Sequence, residues 1–229
     1  MPSCVRSRPM PPSAAARPTA IVLTLGASIA FLVAILHPKT DGTPENLVAY
    51  SYWSAVHVLG ALGFLLIGVA AATLALSSTR PLERLGLVGA ALAALPLVVA
   101  AGIDGPVKTS LAPLALAGGA TDIFHAFEVL EHHAYAFGFG LLGASLATVA
   151  AVEAAASRGV ARAVAALGAV GYAALCLAGV VVIGLWMPQL SILFAGGLPA
   201  HGWLAWRGLR GLLASAPGPA VATVAAERL

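Results

Sequence analysis

Charge is what this chain has least of. Nine acidic residues and twelve Lys or Arg make up only 9% of its 229 residues, where a soluble domain carries about 25%. With 60% hydrophobic residues and a mean hydropathy of +0.95, that scarcity excludes an ordinary soluble domain and indicates a polytopic membrane protein. Cysteine is almost missing as well. Cys4 and Cys176 can build neither a disulfide framework nor a thiolate metal site, and Cys176, inside an apolar run, reads as a small packing residue.

Other absences narrow the function. There is no phosphate-binding Gly-rich loop between a strand and a helix, and no serine in a nucleophile-elbow context. The bases follow membrane topology rather than a nucleic-acid footprint, so no nucleic-acid partner is expected. Neither HExxH nor HxxEH occurs, and no second span carries the Glu-x-x-His pair of a di-iron bundle.

What the chain does have is six long apolar runs, at 19–36, 52–76, 85–103, 121–155, 164–187 and 190–206. The expected architecture is all-α: a six-transmembrane-helix bundle over 19–210, between flexible cytoplasmic tails at 1–18 and 211–229. Its many Ala and Gly residues suit close helix packing, which in lipid relies on van der Waals fit. His37-Pro38 ends the first helix, and Tyr50, Tyr52 and Trp53 are placed to anchor the second at the interface. Asp104-Gly105-Pro106 is a stop signal for the third. The segment 107–119, interrupted by Lys108 and Pro113, is too short to cross and is expected to lie on the surface or re-enter. Thr121 or Asp122 can cap the fourth helix, and Pro188 separates the last two as an antiparallel hairpin. Ten of the twelve bases fall on the side of the two termini, leaving Lys39 and Lys108 opposite. That pattern puts both termini in the cytoplasm of a multi-pass cell-membrane protein.

Polar chemistry concentrates in 121–134, TDIFHAFEVLEHHA. On a helix His125, Glu128 and His132 fall within about 60° of one another; Glu131 lies on the adjoining flank and His133 points away. Ionisable groups at membrane depth face the bundle interior and mark functional sites. His57, on the second span, lies at matching depth from the outer side.

Three chemistries suit these residues. His57, His125, Glu128 and His132 can ligate a divalent transition metal. Glu128 and Glu131, in environments of different polarity, can exchange protons with a small lipophilic ligand entering from the bilayer. Haem b can be held between His57 and His125, His132 or His201. An ion or small-molecule transporter and a non-catalytic interaction protein use the same polar groups. The plainer readings are a hydrogen-bonded polar core for the cluster, a turn for Asp104, a cap for Asp122 and a packed histidine for His201.

Overall fold

The structure is a computed structural model that describes residues 16–38 and 41–215. All regular elements among these residues are helical. Helix α1 covers Ala16–Leu36, α2 Pro44–Ala49, α3 Trp53–Ser77, α4 Pro81–Gly102, α5 Lys108–Leu116, α6 Thr121–Ala156, α7 Gly159–Leu177 and α8 Gly197–Ala214. Five helical stretches are long and apolar enough to cross a membrane: α1, α3, the continuous Pro81–Leu116, α6, and Gly159–Gly184. The chain is therefore a multi-pass membrane protein. The expected tails fall largely outside the described residues, as does Lys39.

The long helices form a closed ring. Each of α1, α3, α4, α6, α7 and α8 packs on the next, and α8 returns to α1. Small residues set the spacing of these seams. A Cβ on Gly63 would lie 3.2 Å from the backbone of Ala30, and one on Gly168 would overlap the Trp203 ring. Helix α8 runs antiparallel to α1 along its length, with Gly197 near Ala34, Gly208 against Thr24 and Gly211 near Ala20. Inside the ring, Ile67, Leu97, Leu142, Val149, Tyr172 and Trp203 are fully buried.

Two features differ from the sequence expectation. The third helix does not stop at Asp104-Gly105-Pro106. It widens into a π-helical segment, Ile103–Val107, and continues as α5. Pro106 lacks the N–H that an α-helix would use and its ring crowds the preceding turn; the wider π turn accommodates both, and such bulges recur at functional sites. Residues 108–116 are thus neither surface-lying nor re-entrant but the C-terminal end of a 36-residue helix. The second difference is the last hairpin. Helix α7 ends in another π-helical segment, Ala178–Gly184, and the run expected as a sixth span splits into a 3-10 helix, Pro188–Gly196, followed by α8.

Length places a cap at one end of the ring. Pro81–Leu116 and α6 each have 36 residues, roughly 54 Å at 1.5 Å per residue, against a hydrocarbon core of about 30 Å. The surplus of both, with α2, stands at the end where α1 finishes. There Leu47, Trp53, Ala112 and Phe124 make a separate small core. Helix α6 begins after Ala120 with no side-chain cap, so neither Thr121 nor Asp122 closes it, although Asp122 lies in the first turn, where negative charge suits the helix dipole.

The α6–α7 seam is the most demanding contact. A Cβ on Gly143 would stand 2.4 Å from the Cys176 nitrogen and 2.6 Å from the Tyr172 carbonyl oxygen, while Gly102 has nothing within 4 Å. Gly143→Val should therefore cost about 2 kcal/mol or more through overpacking, and Gly102→Ala should leave stability within about 1 kcal/mol of the parent. Denaturation midpoints in micelles measure both; equal midpoints would contradict the seam.

Candidate functional site: a buried ionic cluster at one end of the ring

The polar groups meet where α1 ends, α3 begins and the π-helical turn interrupts α4. Lys108 is at the centre, with no exposed surface, its ammonium 2.7 Å from Glu131 Oε1 and 3.6 Å from Asp104 Oδ1. Asp104 and Lys108, four residues apart across the π turn, both point into the ring. Gly105 lets this turn press against α3, since a Cβ there would lie 2.8 Å from that of His57. The loop above closes on the ammonium in the same way: a Cβ on Gly42 would be 2.9 Å from Lys108 Nζ. Phe124 offers its ring face to the same ammonium at 5.2 Å.

Asp104 connects this centre to the histidines. Its Oδ2 is 2.9 Å from His57 Nε2, and the Trp53 indole N–H donates to its Oδ1 at 3.4 Å. His57 Nδ1 lies 2.8 Å from the Trp53 carbonyl oxygen, and His37 Nδ1 2.8 Å from that of Pro38. A carbonyl only accepts, so both Nδ1 atoms carry hydrogen. His57 Nε2 then faces a carboxylate on one side and, 3.2 Å away, the bare Nε2 of His37 on the other. One hydrogen on His57 Nε2 can serve both acceptors, whereas a proton on Asp104 instead would leave the two Nε2 atoms facing each other bare. With the proton on His57 the cluster is neutral: His57 and Lys108 positive, Asp104 and Glu131 negative. A neutral, hydrogen-bonded set is the arrangement a low-dielectric interior tolerates.

One atom is left over. Glu131 Oε2 is buried and has no hydrogen-bond partner among the described residues. The other Glu131 oxygen lies 4.0 Å from His132 Nδ1, which itself bonds the Glu128 carbonyl oxygen at 2.8 Å. Trp186 covers His132, with ring centroids 4.1 Å apart and planes at 23°. It is the one non-glycine residue at positive φ (52°) among those described, and its side chain is exposed. A bulky residue in that region holds backbone strain.

The expected site residues divide. His57 and Glu131 belong to the cluster, and His132 borders it. Glu128 is part-exposed and pairs at 3.0 Å with His125, whose side chain is 65% exposed. The inward side of α6 is therefore the Glu131 flank, rotated from the His125–Glu128–His132 edge that the spacing singled out. His57 finds its partners in His37, Asp104 and Trp53, and among the described residues no three His, Cys, Asp or Glu side chains converge as a metal would require. His201 is buried against Tyr172, its Nδ1 3.2 Å from the hydroxyl, deeper in the ring.

Sequence reasoning missed His37, Lys108 and the roles of two tryptophans, and saw Asp104 as a turn residue that could contribute only from the mouth of the site. Trp53, placed at the lipid interface, is instead buried and stacked on His57 at 5.1 Å. A usable signal existed for one pair: Asp104 and Lys108 are spaced i,i+4 beside an apolar run, as a helical ion pair is. For His37 and His57 only the fold supplies the contact.

Two measurements test the cluster. Lys108→Met should cost about 3–5 kcal/mol, the usual loss when one partner of a buried pair is removed. Adding Glu131→Gln to that variant should recover a good part of it; additive losses would contradict the pairing. His37 lies just beyond α1, and burial, with His57 second, holds its imidazole below the ordinary value. The folded state thus disfavours its charged form, so this contribution is complete above about pH 6.5 and is lost as acid titrates the unfolded chain first. Melting temperature should fall more steeply on acidification in the parent than in His37→Gln; the opposite order would refute the assignment.

No protein-family model, curated protein or solved structure matches this chain, and the chemistry of the site follows from its own geometry.

Proposed function

We propose that this protein performs acid–base chemistry on a small lipophilic molecule at the outer membrane interface, using the buried cluster as its site. The carrying observation is the orphan Oε2 of Glu131 beside a neutral set that already contains one mobile proton. Glu131 is the base, its free oxygen set to receive a proton. His57, oriented by Asp104 and the Trp53 carbonyl, is the acid. Lys108, between them, holds the two carboxylates apart and keeps the sum of charge at zero. Paired groups with opposed proton affinities are how one site runs both directions of proton transfer near neutral pH. His132 connects Glu131 to solvent, and the strained Trp186 above it is the entrance. Glu128 and His125 stand further out, as a solvent-side proton exchanger. The geometry favours this reading over coupled transport: the linked groups run from α1 to α6 across one end of the ring, so they trace no path through the bilayer.

The proposal includes the topology. Six crossings, with both termini cytoplasmic, are supported by α8 matching the length of α1 in antiparallel contact and closing the ring. The basic residues support the same orientation. Of the two bases on the outer side, Lys108 is consumed by the cluster. Arg207 and Arg210 sit at the opposite end, paired with Glu83 of α4 and Glu153 of α6.

Isomerisation, hydration and cyclisation of an unsaturated lipid all place a solvent proton on carbon. Purified protein in nanodiscs, incubated in heavy water with total lipids of its native membrane, should therefore introduce deuterium into a lipophilic species seen by mass spectrometry. Glu131→Gln and His57→Gln should each abolish incorporation, roughly 100-fold or more for a general acid or base, and His201→Gln should preserve it. Absence of incorporation by the parent, or its survival in Glu131→Gln, would overturn the reading.

A further inference from the structure

At the opposite end of the ring a groove of about 200 Å³ opens between α3 and α4, lined by Ala72, Ala75 and Leu76 on one wall and Arg84, Val88, Ala91 and Leu92 on the other. Apart from Arg84 the lining is apolar. We propose that this groove binds an acidic phospholipid, one acyl chain lying along the alanines and the phosphate meeting Arg84.

Three observations support that occupant. The first is direction. Arg84 stands in the first turn of α4, beside the 78–80 connection, and from Arg84 to Leu92 the groove extends about 12 Å at 1.5 Å per residue. Its charged end is at the rim and its apolar end points to the midplane, the polarity of a lipid in the leaflet that meets this end. The second is charge. The neighbouring acid, Glu83, is occupied by Arg207, and Arg210 by Glu153, whereas Arg84 has no ion-pair partner among the described residues. The third is the helix end itself. Helix α4 begins at Pro81 with Arg80 as its N-cap and no side-chain hydrogen bond there, so its first-turn N–H groups and positive dipole end reinforce the attraction of Arg84 for an anion. The alanines matter for shape: larger residues at 72, 75 or 91 would fill the space a chain needs.

Spin-labelled phosphatidylglycerol and phosphatidylcholine, compared in phosphatidylcholine vesicles carrying the full chain, provide the test. The parent should hold phosphatidylglycerol about fivefold more tightly, the contribution of one arginine near the surface. Arg84→Gln should remove that preference and Arg84→Lys should keep it. Ala72→Leu, at an exposed position on the wall, should reduce retention of both lipids while the charge remains. Arg158→Gln, an exposed arginine in the α6–α7 connection, should change nothing. A preference that survives Arg84→Gln, or falls equally in Arg158→Gln, would overturn the site. Retention unaffected by Ala72→Leu would reduce it to a headgroup contact and refute the groove.

Discussion

A lysine ammonium with no exposed surface, paired with two carboxylates from different helices, is the constraint on which this end of the protein depends. An unpaired charge in that position would cost several kcal/mol. Lys108 therefore requires Glu131 from α6 and Asp104 from its own helix, and Asp104 in turn requires more positive charge than half a lysine provides. His57 supplies it, His37 completes the hydrogen bonding of His57, and four elements are joined by one sequence of proton donors and acceptors. Each member is costly alone and neutral together, so the set specifies a single packing of the ring end.

Backbone geometry serves that cluster. Across the π-helical turn at Ile103–Val107, Asp104 reaches His57 of α3 and Lys108 reaches Glu131 of α6, and Gly105 allows the turn to approach the His57 Cβ and the Ser54 carbonyl oxygen. The two ends of the ring solve the charge problem differently. At the end that holds Lys108 the ions are buried, few and neutral in sum. At the other end Glu83, Glu153, Arg207 and Arg210 remain partly exposed, where ion pairs contribute less to stability and are easily exchanged. The proposed chemistry and the proposed lipid contact accordingly fall at opposite ends.

The helices were legible because hydropathy and length are local properties. The limits of α1, α3 and α6 follow from apolar runs ended by His37-Pro38, by the polar connection after Ser77 and by Arg158. Direction was not legible. Residues 121–134 announced a polar cluster, but whether its His125–Glu128–His132 edge or its Glu131 flank faced inward depended on Lys108, 23 residues away and positioned by a turn written as a helix stop. Asp-Gly-Pro ends helices in water, where freed carbonyls bond solvent; packed against α3 and α6, the same tripeptide was absorbed as a wider turn. The sixth run carried a similar ambiguity, since Pro188 and the Gly196-Gly197 pair loosen its start into a 3-10 helix before α8 forms.

The account stands most directly on the proton that the hydrogen-bond pattern assigns to the His57–Asp104 pair. Nitrogen-15 NMR of histidine-labelled protein in bilayers at neutral pH observes it. The account predicts that the His57 resonance, assigned by its loss in His57→Gln, shows hydrogen on both ring nitrogens, with Nε2 coupled to Asp104. A neutral His57 with a bare Nε2 and an ionised Asp104 would contradict it, because two acceptors would then face each other in the core of the site.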